Sequence, residues 1–207
     1  HCIRFWPEYV QTKEIIDSQK YGLVLAATFQ RLSLIPSWSW DNCFLDGKRS
    51  GGAMLDLHIH DTDYVQYVFG IPKEVFSRGL IGPSQDFDHN VTQYLYDDEK
   101  VITAEGGWIM APGFGFEMSF KIMLEKATLL YSSNQMPTFR ICPKEGEIIV
   151  PVISEGDGYL FEIQHFIDLI SGKPVQSIIT PDQSGDSVKI IEAEKESIRT
   201  KNKVSLH

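Results

Sequence analysis

Between Asp56 and Asp63, in "DLHIHDTD", five of eight residues are Asp or His. Carboxylates and imidazoles carry protons near neutral pH and ligate metal ions. Three uses compete for such a run: a metal site, an acid–base pair, or a polar helix face without chemistry. Local geometry separates them. In a helix over 53–69, at about 100° per residue, Asp56, His60, Asp63 and Tyr67 share one narrow face. Leu57, Tyr64, Val65 and Val68 cluster on another side, which suits burial. His58 then points away from His60, and Asp61 falls inside the apolar arc, where the pattern gives no account of it. Gly51 and Gly52 ahead of the run permit unusual backbone angles and close approach. In a strand, "AMLDLHIHD" would instead set His58 and His60 on one face, an H-x-H pair like that of metal-dependent amidohydrolases. That reading needs further ligands at later strand ends of a large barrel. The other histidines (His1, His89, His165, His207) end no clear parallel strand, and a helical period continues through "DTDYVQYVFG". The helical reading is preferred, and no metal ligand set is expected.

The elements that must position this run follow from period and punctuation. "PEYVQTKEIIDSQ" has Pro7 at a first turn and puts Tyr9, Val10 and Ile16 on one side of a helix. "LVLAATFQRLS" reads as a buried strand. A loop rich in Trp, Pro, Gly and Asp, "LIPSWSWDNCFLDGKRSGG", separates it from the Asp/His run. "KEVFSRGLI", "HNVTQYLYD" and "KVITAEGGWIM" read as strands joined by polar turns. In "FGFEMSFKIML", Phe114, Phe116, Met118, Phe120, Ile122 and Leu124 alternate with polar or small residues, so one sheet face is apolar and the other polar. Shorter strands are expected at "ATLLYS", "TFRIC" and "EIIVPV". In the helix "GYLFEIQHFIDLISGKP", Tyr159, Ile163, Phe166 and Ile170 share a face, with Gly172 and Pro174 as stop signals. In the last helix Thr180 caps, Pro181 takes the first position and Gln183 completes a capping box, with Val188, Ile191 and Ile198 as the buried stripe. The expected fold class is α+β, a mainly antiparallel, open-faced β-sheet with helices packed on one face.

Composition narrows the function classes. A chain of 207 residues buries roughly 70% of its unfolded surface and needs no staples. Cys2, Cys43 and Cys142 are odd in number, scattered and without C-x-x-C spacing, which excludes a disulfide framework and suits a reducing compartment. A net charge of -9 argues against nucleic acid and anionic membrane as partners. No apolar stretch is long enough to span a bilayer and no signal pattern opens the chain, so cytoplasmic is the default location. The sequence opens at His1 and its first methionine is Met54; a piece of a longer polypeptide is expected.

Four segments, "RFWPEY", "SGGAMLDLHIHDTD", "GYLFEIQHFIDLISGKP" and "TPDQSGDSVKIIEAEKES", closely resemble the C-terminal domain of the Gfo/Idh/MocA oxidoreductases, the glucose–fructose oxidoreductase and inositol dehydrogenase family. The likeness runs in order through nearly all of residues 1–207, which the resemblance makes one substrate-binding, catalytic and oligomerisation domain. It implies a parent enzyme that transfers hydride between NAD or NADP and a sugar, polyol or related carbohydrate. The family's N-terminal Rossmann domain, with its G-x-G-x-x-G and an E-K-P lysine, would precede His1 and hold most of the cofactor, so this portion alone is expected to be inactive. By the family pattern D-x-x-x-H, Asp56 and His60 carry over as the catalytic pair and Asp63 as a substrate ligand. The chemistry fits independently: alcohol oxidation releases a hydride from carbon and a proton from oxygen, and imidazole is the natural base for the proton. Asp56, one turn away, can orient His60, favour its protonated form or bind the hydroxyl. Arg31 could bind a hydroxyl or carboxylate, Trp38 and Trp40 could stack on a sugar ring, and Tyr159 aligns with a tyrosine near the family's active site. Phe114 and Phe116 stand where inositol-dehydrogenase-like members have tyrosines, which puts inositol in doubt as substrate. The resemblance further implies a homo-dimer or tetramer through the open sheet face. The alternatives are a non-catalytic assembly module and the H-x-H metallohydrolase.

Overall fold

Alternating apolar residues and the turns between them build one eight-stranded sheet with helices on one face. A computed structural model of the chain describes residues 1–206. The strands are β1 (Val24–Ser33), β2 (Glu74–Ile81), β3 (Phe87–Leu95), β4 (Val101–Gly107), β5 (Phe116–Leu124), β6 (Ala127–Ser132), β7 (Phe139–Pro143) and β8 (Val204–Ser205). Their order across the sheet is β7-β6-β5-β1-β4-β3-β2-β8. β1 and β4 run parallel, and the other neighbouring pairs among the described residues run antiparallel. The helices are α1 (Pro7–Asp17), α2 (Gly47–Ser50), α3 (Ile59–Phe69), α4 (Gly158–Ile170) and α5 (Pro181–Thr200), and a π-helical turn, Met54–His58, leads into α3. The expected α+β class stands. No described helix is long and apolar enough to cross a membrane.

The core lies between the covered face of the sheet and α1, α3 and α5. Tyr9 of α1 meets Tyr64 of α3 edge-on at 4.8 Å and Phe120 of β5 at 5.0 Å, ring centre to ring centre. All three are buried, each stabilising the fold by roughly 1.5–3 kcal/mol. On the opposite face Thr28, Val91, Val101, Lys121 and Met123 are exposed.

The last helix starts as its sequence dictates. Thr180 accepts from the Gln183 backbone, the Gln183 side chain reaches back to Thr180, and Pro181 occupies the first turn. Its buried stripe differs by one residue: Ile190, Ile191 and Ile198 pack inward, while Val188 is exposed. β5 begins later than its alternation implies. Gly115 takes a φ of +80°, which breaks the strand and leaves Phe114 and Phe116 partly exposed. Residues 147–152 form no strand; a single bridge joins Ile149 to Ile141.

The shared apolar face of α4 is open: Tyr159, Ile163, Phe166 and Ile170 are 58%, 60%, 61% and 68% exposed. The helix is anchored at its start, where Gly158 sits against the Cys2 carbonyl, and by ring contact of His165 with Phe5. Its apolar side faces away from the sheet.

Candidate active site

The Asp/His run is helical, but not uniformly so. The π turn over Met54–His58 inserts an extra residue into the helical path before α3 resumes a regular pitch. A uniform 100° step therefore fails across it. The run divides into two sets: Asp56 and His60 line a cavity of about 860 Å³, whereas His58, Asp61 and Asp63 are fully buried on other sides.

The second set is engaged in the protein interior. Asp61 receives Nε and Nη2 of Arg31, each at 3.0 Å, which explains a carboxylate in the apolar arc. Asp63 is clamped by Nε and Nη2 of Arg4, each at 2.8 Å, and accepts from Ser187 at 2.8 Å. It does not line the cavity, which turns Asp63 away from the substrate-ligand role that the family resemblance implied. His58 Nε2 lies 2.9 Å from Oε2 of Glu194. His58 and His60 thus point apart, and the H-x-H pair does not form.

The cavity walls are mostly apolar and carry rings from Trp6, Trp38, Phe116 and Tyr159. Two glycines shape the entry to the Asp56 turn. Gly51 and Gly52 take φ of +78° and +67°, and a Cβ on Gly52 would lie 2.9 Å from the Phe87 carbonyl oxygen. Arg31, which β1 delivers to the cavity, is 3% exposed. Asp61 holds its guanidinium by two nitrogens, which leaves Nη1 outside the pair. Burial opposes the Arg31 charge and Asp61 restores it, leaving the guanidinium firmly protonated. Trp38 is 80% exposed at the rim and stacks edge-on against Phe44, which packs on buried Trp108. Trp40 is equally exposed but does not line the cavity. Tyr159, half-exposed on α4, does line it.

His60 is held neutral. Burial, then the nearby Arg31 guanidinium, depress its pKa to about 3. This reverses the sign expected from an orienting Asp56. Asp56 itself is pushed up, by burial alone. The two side chains share a wall without a hydrogen bond between them, and His60 Nδ1 is buried with no partner. The arrangement is a neutral imidazole and a carboxylate set separately into an apolar wall beside a fixed cation. It can take a proton from a hydroxyl and accept hydrogen bonds from its neighbours. Sequence reasoning missed Cys2, Trp6 and Arg4; the "RFWPEY" segment carried the signal for two of these, without a role attached.

The chain matches the family described as GFO/IDH/MocA C-terminal domain over residues 9–130, more than half its length. No match to it is found among curated proteins. Among solved structures, levoglucosan dehydrogenase in complex with NADH and levoglucosan superposes with a TM-score of 0.80 at 17% identity, covering 99% of this chain and 64% of that one. An NAD binding oxidoreductase from Klebsiella pneumoniae gives 0.81 at 14% identity, covering 100% and 65%. An oxidoreductase from Agrobacterium radiobacter in complex with NAD+, L-tartaric acid and magnesium gives 0.77 at 17% identity, covering 99% and 63%. At these identities the likeness is one of fold, and the chain spans less than two thirds of each of these proteins. With the profile match and the sheet-plus-helix frame in agreement, the chain belongs to the GFO/IDH/MocA family, as its C-terminal domain.

Proposed function

We propose that this chain is the substrate-binding and proton-transfer portion of an NAD(P)-dependent oxidoreductase acting on the CH–OH group of a sugar or polyol. The observation that carries the reading is His60: a neutral imidazole with an unpartnered Nδ1, set beside Asp56 in a ring-lined cavity. The bound ligands of the structurally similar levoglucosan dehydrogenase support a carbohydrate substrate and a nicotinamide cofactor.

The residues present fit the reacting end of a nicotinamide, for which the rings of Trp6, Phe116 and Tyr159 offer an apolar wall. They do not fit its phosphates, because no G-x-G-x-x-G occurs in the sequence. When bound, the nicotinamide supplies the hydride acceptor. His60 takes the hydroxyl proton as the carbon–oxygen double bond forms. A depressed pKa makes the ring a weak base at rest, but an alkoxide developing beside it favours imidazolium and offsets the burial. Asp56 accepts a hydrogen bond from a substrate hydroxyl, and Arg31, fixed by Asp61, offers Nη1 to a substrate oxygen. Trp38 stacks on the C–H face of the ring. The exposed apolar side of α4, which joins the cavity through Tyr159, is the docking face for the nucleotide-binding domain of the same enzyme.

The test is turnover of the chain joined to its nucleotide-binding domain, followed by nicotinamide absorbance over a panel of neutral sugars, anhydrosugars and polyols. His60→Ala is expected to lower kcat by about 10²–10⁴. Unchanged kcat removes His60 from the reaction, and silence over the whole panel removes the carbohydrate reading.

A further inference from the structure

A second buried cluster lies behind the π turn, and the chemistry above does not use it. His58, the last residue of that turn, and Glu194 of α5 are both fully buried, with Nε2 and Oε2 2.9 Å apart. Thr62 Oγ1, one turn along α3, donates to the other Glu194 oxygen at 3.2 Å and lies 2.9 Å from Tyr94 Oη. Tyr94 Oη in turn lies 3.4 Å from His58 Nε2, which closes a ring of four side chains from the π turn, α3, β3 and α5. None of the four lines the cavity.

Stability does not account for this cluster. Polar groups cost free energy to bury, His58 Nδ1 and Glu194 Oε2 make no hydrogen bond although Oε2 sits within ion-pair distance of the ring, and an apolar replacement of a buried pair is often neutral or stabilising. Register does account for it. His58 and Thr62 are four residues apart and meet the same carboxylate across the junction of π turn and α-helix. Asp56 and His60 are also four apart, cross the same junction, and face the cavity. A regular α-helix through residues 54–58 would rotate one pair relative to the other, so fixing the inner pair fixes the outer one. The sheet adds a second constraint: a Cβ on Gly106 would lie 2.6 Å from His58 Cβ and Nδ1, so only glycine leaves room for the imidazole there.

We propose that His58 and Glu194 are positioning residues, a buried pair that holds the π turn and thereby sets Asp56 and His60 together on the cavity wall. The proposal rests on reading Asp56 and His60 as the reacting pair. Its test, however, needs neither sugar nor cofactor, so its failure is distinct from failure of that reading.

The experiment is a pH titration of the His60 ring in the 207-residue chain by long-range ¹H–¹⁵N NMR, assigned with His60→Gln. The charged and titratable groups around the ring are Arg31 from β1, Asp56 from the π turn, Tyr159 from α4, and Cys2 and the His1 amine from the N-terminal segment. In the parent chain the ring is expected to titrate near 3. In Glu194→Leu and His58→Gln, circular dichroism should report a folded protein that melts below the parent, because each variant leaves a buried partner unpaired. The His60 titration in both should move up toward the ordinary imidazole value of about 6.5, as the turn relaxes and the ring leaves its pocket. A folded variant whose His60 titrates as in the parent overturns the proposal, as does a parent ring that already titrates at the ordinary value. If Glu194→Leu does not fold, His58→Gln decides. Loss of folding in both makes the pair a determinant of the fold itself and overturns a positioning role.

Discussion

At His60 burial and a fixed cation act in the same direction, and the consequence is a pH-dependent stability. Between about pH 6.5 and about pH 3 the unfolded chain binds a proton at this residue that the folded chain refuses. Its contribution to stability therefore falls as the pH falls through that window, by at most about 1.4 kcal/mol per pH unit. His60→Gln abolishes this dependence, so the stability of the variant relative to the parent should improve between pH 7 and pH 5 in urea unfolding. An equal difference at both pH values would mean that His60 is not held neutral. Asp56 has the opposite sign. Burial raises its pKa, so its ionised form is disfavoured by folding and stability is lost as the pH rises through the carboxylate range. Asp56→Asn should accordingly raise the melting temperature at pH 7 while turnover of the joined enzyme falls. A lower melting temperature would point to a partner for Asp56 not seen in the fold.

Elements set where these residues stand. β4 and the π turn meet at Gly106, and Gly106→Ala pushes a methyl group into the His58 ring. Overpacking of this kind costs about 1–3 kcal/mol. Gly185, in the first half of α5, has nothing within 4 Å of an added Cβ. Gly185→Ala should therefore stabilise by about 0.5–1 kcal/mol through helix propensity. Urea unfolding of both variants checks the pair of values, and a Gly106→Ala protein as stable as the parent would contradict the tight contact. At the head of α5 the reciprocal Thr180–Gln183 bonds make Thr180→Ala a loss of about 1 kcal/mol by the same assay.

On the scale of the whole molecule, two broad surfaces are left uncovered. One is the apolar side of α4; the other is the open sheet face. The sheet face carries a central polar lane, in which Gln30 donates to Glu105 at 2.7 Å and His89 Nε2 lies 3.3 Å from the same carboxylate. Exposed Leu80, Val91, Val101 and Met123 flank that lane. A face with apolar margins and a paired polar centre is suited to a second copy of itself, because a two-fold interface needs only self-complementarity. Light scattering of the joined enzyme is expected to give at least a dimer, and Val91→Glu with Val101→Glu to give a monomer. A monomer at every concentration of the parent would count against association through this face.

Local rules were sufficient for most of the frame. Seven of the strands and the capped helices lie where alternation, Pro, Gly and the capping box put them, because each signal acts within a few residues. Asp56 and His60 were also legible as a pair, since four-residue spacing brings two side chains to one side of a helix. What the sequence could not decide was anything that depends on a distant partner. Asp61 is accounted for by an arginine 30 positions away and Asp63 by one 59 positions away, and neither distance leaves a periodic trace. The π turn has no compositional mark; its last residue, His58, lies between Glu194 of α5 and Gly106 of β4, both far away in sequence. The α4 stripe was legible as one apolar face but its exposure was not, because periodicity reports that a face avoids water and not what covers it. Local sequence thus determined the elements and the Asp56–His60 pairing, whereas tertiary packing chose which carboxylates reach the cavity, kept the imidazole neutral and left α4 open.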